Sequence, residues 1–219
     1  MSREHLIPPG VDEHDAALLR RAYALNDQAE GAHLYREWAS TYDRTMVDGL
    51  GYISPQRLVE VFARNTTRRN GDVLDLGCGT GLIGMELASH GFKAFDGLDL
   101  SAEMMAEAER RGIYRRFLTA DLTAPLALPD ASYFTAICNG TFTSGHVDAA
   151  CLDELVRIIE PGGYLVCAVH HAVWEASGFA AGFARLEGVG LLVPVEIVQS
   201  AYYLSSPGTD GRLCVFTRP

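Results

Sequence analysis

The sequence has no run of apolar residues approaching the ~18 that a membrane-spanning helix requires. Its opening, Met1-Ser2-Arg3-Glu4-His5, lacks the apolar stretch of a secretion signal. The expectation is a soluble, cytoplasmic protein with no membrane partner. Cysteine is sparse and unpatterned: residues 78, 138, 151, 167 and 214 form an odd set without a C-x-x-C pair. Neither a disulfide framework nor a metal site is readable, which points to a reducing compartment. Cys138 and Cys167 sit inside apolar runs and suit small core positions. Positive charge is also short. The formal net charge is −10, which argues against nucleic acid as a partner. The pairs Arg68-Arg69, Arg110-Arg111 and Arg115-Arg116 read as charges near helix ends rather than as a phosphate track. No internal repeat or low-complexity segment is present.

What remains is the composition of an ordinary globular domain: 219 residues, 48% hydrophobic and 21% charged. Residues 1 to 10, ending in Pro8-Pro9-Gly10, read as a lead-in. Helices are expected over about 12 to 27, with Asp12 as a cap, over about 31 to 48, and after Ser54-Pro55, where proline suits the first helical position. From residue 72 onward strands and helices alternate at the rhythm of an open α/β sheet. Strands are expected at 73 to 76, 94 to 99, 115 to 119, Tyr133 to Cys138 and Tyr164 to Val169. Ser101 should cap the helix that ends at Gly112. A further helix opens near Asp148, its apolar face formed by Leu152, Leu155, Val156 and Ile159, and stops at Pro161-Gly162-Gly163. Another spans about 173 to 187. Two last strands, 193 to 204 and 211 to 217, are joined by a short polar link that suits an antiparallel hairpin.

The segment richest in chemistry is Asp72-Val73-Leu74-Asp75-Leu76-Gly77-Cys78-Gly79-Thr80-Gly81-Leu82-Ile83-Gly84. A short apolar strand runs into glycines that free the backbone to turn and expose its N–H groups to a ligand. Gly79, Gly81 and Gly84 satisfy the G-x-G-x-x-G fingerprint of dinucleotide sites, so an NAD-dependent oxidoreductase is one reading. Asp75 argues for another. A carboxylate there would repel a pyrophosphate and suit S-adenosylmethionine, whose ammonium and sulfonium are positive. Asp99, which ends the second strand, can accept both hydroxyls of a ribose under either reading.

The acid-x-Gly-x-Gly-x-Gly pattern at Asp75, Gly77, Gly79 and Gly81 resembles motif I of the class I S-adenosylmethionine-dependent methyltransferases. A second element, Tyr35-Arg36-Glu37-Trp38-Ala39-Ser40-Thr41-Tyr42-Asp43, resembles the Tyr-Asp-x-Trp-Ala-x-x-Tyr-Asp stretch of proteins similar to the Williams-Beuren syndrome region methyltransferase, with Arg36 departing from it. The likeness covers roughly residues 35 to 167. It implies a Rossmann-like α/β fold, a seven-stranded, mostly parallel sheet with a C-terminal antiparallel hairpin and N-terminal helices. Residues 1–70 would form a helical lid or extension and 71–219 the S-adenosylmethionine-binding domain, in one compact unit. The glycine loop, Cys78 included, would hold the cofactor together with Asp99 and Leu100. Asp121 would meet the adenine amino group, with Leu122 supplying a neighbouring backbone N–H and Met104, in preference to Met105, the ring's face. Asn139 would hold the methionine end, and Tyr42, less securely Tyr35, would lie over the cofactor.

The acceptor is less legible. The loop Asn139-Gly140-Thr141-Phe142-Thr143-Ser144-Gly145-His146 follows the fourth strand, where donor and acceptor should meet. It lacks the Asn/Asp-Pro-Pro-Tyr sequence of amino-directed DNA methyltransferases, so a small-molecule acceptor, methylated at oxygen or nitrogen, is expected. His146 or His171 is the candidate base. His170, His171, Trp174, Tyr202 and Tyr203 together suggest an aromatic acceptor pocket. A cofactor-binding module without catalysis stays open as the third reading, and the oligomeric state is not encoded in any motif.

Overall fold

Residues 12–25 and 28–219 are described in the computed structural model; the lead-in over residues 1 to 10 lies outside them. Asp12 caps helix α1 (Glu13–Tyr23) by accepting from the His14 N–H. The single helix expected over 31 to 48 is broken. Helix α2 (Gln28–Trp38) gives way to a 3-10 turn at Ala39–Thr41 and then to a π-helical turn at Arg44–Gly49. In that wider turn the Leu50 N–H reaches the Thr45 carbonyl at 2.8 Å. Thr45 is buried and its hydroxyl donates to Asp15 of α1 at 3.0 Å, a contact that apolar periodicity does not report. Helix α3 (Ser54–Asn65) starts with Pro55 in its first turn and buries Leu58, Val59 and Phe62.

The alternating part follows. Strand β1 (Val73–Leu76) leads through the glycine loop into α4 (Leu82–Ser89), closed by Gly91 at φ +83°. Strand β2 (Phe95–Asp99) leads into α5 (Ala102–Glu109), where Ser101 Oγ accepts from the Met104 N–H at 3.2 Å. Strand β3 (Phe117–Thr119) is short. Strand β4 (Tyr133–Phe142) runs past Cys138, through a register irregularity at Gly140, so the expected polar loop begins later. A 3-10 turn at Ala149–Cys151 opens α6 (Leu152–Ile158). That helix stops before Pro161, because Ile159 is already extended and paired with Tyr133 as the start of β5 (Ile159–His170). The helix expected over 173 to 187 is two, α7 (His171–Trp174) and α8 (Phe179–Gly188), separated at Gly178 with φ +76°.

The hairpin strands are β6 (Val193–Ser200) and β7 (Gly211–Thr217). β6 ends earlier than residue 204 because Tyr202 leaves the sheet. Its carbonyl accepts from the N–H groups of Ile53 and Ser54, and its own N–H bonds the Asp210 carboxylate at 2.6 Å. The seven strands form one sheet in the order β3-β2-β1-β4-β5-β7-β6. All neighbours up to β5 are parallel, and β7 is antiparallel to both strands beside it. Leu74 and Leu76 of β1 face a core shared with Leu155 and Phe179. Val73 faces the other core, where Leu19, Trp38 and Phe62 of the N-terminal helices pack with Phe95 and Val166. The strand order reverses between β1 and β4, and an open α/β sheet offers its ligand crevice at the carboxyl ends of such a pair.

Candidate active site

The loop between β1 and α4 needs its glycines. Gly77, Gly79 and Gly81 all have positive φ, at +66°, +52° and +90°. A Cβ on Gly77 would overlap the Thr141 hydroxyl, whereas one on Gly79 would meet no atom within 4 Å and would project into open space. The turn is pinned from β2: the Leu98 carbonyl accepts from Gly77 and Cys78, and Asp99 Oδ2 accepts from the Gly79 N–H at 2.8 Å. Asp99 Oδ1 takes the Ser101 N–H, also at 2.8 Å. Burial raises the Asp99 pKa against these backbone donors, which lower it.

A cavity opens at this point, with about 890 Å³ of unfilled space, part of it open to solvent. Gly77, Gly79, Asp99, Leu100 and Met104 border it, as do Asp121, Leu122 and Asn139. Tyr42 and His146 complete the set of expected residues on its wall. Met104, not Met105, is the methionine that faces it. Gly31 and Tyr35 close it from α2. Asp121 Oδ1 accepts from the Thr123 N–H and hydroxyl, each at 2.7 Å, which fixes its loop.

Four expected site residues lie elsewhere. Asp75 is 1% exposed and lies behind the loop, on the sheet face it shares with Val73. Its Oδ2 accepts from the Tyr114 hydroxyl at 2.6 Å, and Oδ1 is buried with no partner among the described residues. Burial pushes its pKa to about 7, against the Tyr114 hydrogen bond that lowers it, with Asp99 adding repulsion. Asp75 therefore offers no exposed charge to a ligand, and the argument it supplied against a pyrophosphate does not hold. Cys78 turns its thiol toward Gly97 and does not line this cavity. Gly81 packs on Ala108, Tyr114 and Arg111 at the start of α4. His171 is exposed at the start of α7, in contact with the buried His170 ring, and neither histidine nor Trp174 lines this cavity. Trp174 instead packs on Phe183 and lies under Arg212.

His146 is placed differently. It is half-buried, and its Nε2 lies 2.9 Å from the Tyr35 hydroxyl. Its Nδ1 lies 3.0 Å from the Ser144 carbonyl and 2.9 Å from the Thr143 hydroxyl. A carbonyl only accepts, so Nδ1 carries the hydrogen and Nε2 keeps the lone pair. Burial lowers the pKa of the ring, against the raising effect of the Ser144 and Thr143 backbone contacts. Beside it, Asn139 donates to the Tyr52 hydroxyl at 2.9 Å and accepts from the Ser54 hydroxyl at 2.7 Å. Tyr52 also belongs to a second cavity, bordered by Tyr202 and Tyr203 from the hairpin link. No local pattern announces the Tyr114 bridge between Asp75 and the Gly84 N–H. A Cβ on Gly84 would overlap that tyrosine, which accounts for the last glycine of the fingerprint without any ligand.

The arginine pairs are largely consumed inside the protein. Arg115 and Arg116 both bind the buried Asp96, each at 2.9 Å, Arg110 pairs with Glu107, and Arg111 pairs with Asp43. Arg69 bonds the Ala63 carbonyl at the end of α3. No helix of the described residues is long and apolar enough to cross a membrane.

Comparison with known proteins decides between the cofactor readings. A model of the methyltransferase domain family matches residues 73–163, from β1 into β5. That segment of the chain is similar to the methyltransferase domain, and the chain resembles the class I S-adenosylmethionine-dependent methyltransferases. Human methyltransferase-like protein 27 is 32% identical over 154 residues, which is 69% of this chain and 62% of that protein. It bears out the Williams-Beuren resemblance. The malonyl-(acyl-carrier protein) O-methyltransferase of Enterobacter lignolyticus is 36% identical over 106 residues, 48% of this chain and 41% of that protein. The chain thus spans less than two thirds of the length of either relative. Among solved structures, a TehB-like methyltransferase from Corynebacterium glutamicum shares the fold with a TM-score of 0.62 at 21% identity, over 86% of this chain and all of that one.

The residues on the first cavity fit S-adenosylmethionine. Gly79 leaves a space that any other residue would fill, Asp99 presents a carboxylate, and Leu100, Met104 and Leu122 give apolar surface beside Asp121.

Proposed function

We propose that this chain is an enzyme that transfers a methyl group from S-adenosylmethionine to an oxygen or nitrogen of a small molecule. The supporting observation is one cavity, at the switch point of the sheet, that joins the glycine loop, Asp99, Asp121 and the half-buried His146. In this reading the Gly77–Gly79 backbone and Asn139 hold the amino-acid end of the cofactor. Asp99 takes the ribose hydroxyls, Asp121 and the Leu122 N–H take the adenine edge, and Met104 lies on its face. Tyr42, from the N-terminal helical segment, covers the site. S-adenosylmethionine held there would supply an electrophilic methyl carbon on a sulfonium, and these residues would orient it toward the acceptor atom. His146 Nε2 accepts the acceptor's proton. Orientation carries most of the rate, and a displacement held in line can gain about 7–11 kcal/mol from it.

Net charge of −10 and the internal use of the arginine pairs support a small acceptor over nucleic acid. Calorimetry with S-adenosylhomocysteine and with NAD tests the reading. Tight binding of the first and none of the second is expected; the reverse would overturn it. Transfer of labelled methyl to a metabolite panel then tests catalysis against mere binding.

A further inference from the structure

The two cavities share Tyr35, Tyr42, Gly140 and His146 as a common wall, yet their chemistry differs. The first carries the carboxylates of Asp99 and Asp121. The second, with about 420 Å³ of unfilled space partly open to solvent, has no Asp, Glu, Lys or Arg on its walls among the described residues. Half of its twelve lining residues are Tyr or Trp: Tyr35, Trp38, Tyr42, Tyr52, Tyr202 and Tyr203. We infer that the second cavity receives the methyl acceptor, and that this acceptor is an uncharged, flat molecule bearing a phenol-type hydroxyl. The inference rests on the methyl-transfer reading above and narrows it to one acceptor class.

Charge is the first argument. A carboxylate or ammonium placed among these walls would lose its water and find no counter-ion, which costs several kcal/mol. Shape is the second. Tyr35 and Trp38 stack at 6.1 Å with planes 9° apart, Trp38 meets Tyr42 edge-on at 4.9 Å, and Tyr52 leans on Tyr203 at 5.4 Å. Rings arranged this way take another ring by stacking or by edge contact.

The hydroxyl follows from His146. With Nδ1–H directed to Ser144, Nε2 can only accept, and the group it accepts from is the phenol of Tyr35 at 2.9 Å. The protein's own phenol thus marks where an acceptor hydroxyl would sit: on the base and on the wall between the cavities. An acceptor taking that place gives its proton to Nε2 as its oxygen bonds to the methyl carbon and sulfur leaves with the pair. Trp38 lines the same cavity, and its Nε1–H is buried without a partner among the described residues.

The test uses the full chain saturated with S-adenosylhomocysteine and three probes of one shape: a naphthol, the matching naphthoate and a naphthylmethylammonium. Isotope-labelled methionine methyl groups report location, because Met46 lines the second cavity and Met104 the first. The naphthol is expected to shift Met46 while Met104 keeps its cofactor-bound position, and to bind at least about tenfold more tightly than either charged probe. Ala22→Leu fills the same cavity from α1 and should weaken the naphthol by about tenfold or more while S-adenosylhomocysteine binding is unchanged. Equal binding of a charged probe, or naphthol binding without a Met46 shift, overturns the inference even if the variant does not fold. Failure of S-adenosylhomocysteine to bind would instead strike the methyl-transfer reading.

Discussion

The hydroxyl of Tyr35 on α2 lies 2.9 Å from Nε2 of His146, in the loop after β4, across 111 residues of sequence. The pair joins the N-terminal helices to the sheet at the point where the two cavities meet. It also fixes the imidazole: Ser144 sets the tautomer on one side and Tyr35 occupies the lone pair on the other. Tyr35→Phe should cost about 1 kcal/mol of stability through the hydrogen bond it removes from a half-buried nitrogen. It should keep kcat within about threefold, because the base itself survives. Denaturant melts and steady-state kinetics check both; a kcat loss as large as that of His146→Gln would make Tyr35 part of the proton path.

His146→Gln should lower kcat by about 10²–10⁴-fold if the ring acts as general base. The pH profile separates that role from mere packing. Burial holds the folded imidazole below the 6.5 of a free one, so the neutral form persists to lower pH. The acid limb of kcat/KM is therefore expected below pH 6.5 in the wild type and absent in the variant. Stability carries the same sign. The unfolded ring takes up its proton first, so the contribution is complete above pH 6.5 and is lost as pH falls through that value.

Gly77→Ala and Gly79→Ala should fail in different ways, although both glycines have positive φ. At Gly77 the new methyl group meets Thr141, so strain and collision add and the fold should lose more than ~2 kcal/mol. At Gly79 nothing stands within 4 Å, and the cost is the backbone's alone, about 1 kcal/mol. The methyl group there projects toward the cofactor cavity. Thermal melts with calorimetry of S-adenosylhomocysteine should show Gly79→Ala folded but weakened in binding by about tenfold or more. A Gly79→Ala protein with unchanged affinity would remove the loop from the binding surface.

Much of this site could be read from residues that act locally. Asp12 and Ser101 cap helices because their side chains reach an N–H two or three positions on, and Asp99 falls at a strand end that the sheet directs to the crevice. The failures share one cause, a partner distant in sequence. Asp75 looks like a loop-facing acid until strand alternation and Tyr114, 39 residues later, turn it inward. His171 looks like the end of a strand facing the acceptor. Yet β5 carries His170 into the sheet opposite Gly211, and the next residue starts a surface helix. The break after Trp38 follows the same rule, since Asp15, which Thr45 meets, belongs to another helix.

Asp43, Thr80 and Arg111 form a clamp among three separate segments. Thr80 Oγ1 donates to Asp43 at 2.5 Å, Arg111 Nε donates to the Thr80 carbonyl at 2.6 Å, and the Arg111 guanidinium pairs with Asp43. The N-terminal segment that carries Tyr42 is thereby tied to the glycine loop. Arg111→Met should leave the Asp43 carboxylate without its cation, yet the loss in global stability should be small, about 1 kcal/mol, because Asp43 is partly exposed and screened by solvent. Local opening should change more. Amide exchange over residues 39 to 50 should accelerate about tenfold, with S-adenosylhomocysteine affinity falling several-fold. Unchanged exchange there would show that apolar packing alone holds the segment down.

Asp75→Asn tests the buried carboxyl by its pH signature. The folded pKa stands at about 7 against 3.8 for the free group. Below pH 3.8 the carboxyl is protonated in both states and contributes no slope. As pH rises toward 7 the unfolded chain releases the proton while the folded chain retains it, so stability declines through this window. Above about 7 both states are ionised and the cost is constant, on the order of a few kcal/mol. Asparagine keeps an oxygen for the Tyr114 hydroxyl but places an amide nitrogen where Oδ1 has no partner, a pH-independent cost of about 1–3 kcal/mol. The expected result is therefore a difference in slope. Measured by thermal melts from about pH 4 to 8, the wild type should lose stability relative to Asp75→Asn as pH rises. Parallel curves would mean that Asp75 is ionised throughout, and that Tyr114 alone meets the cost of burying its charge.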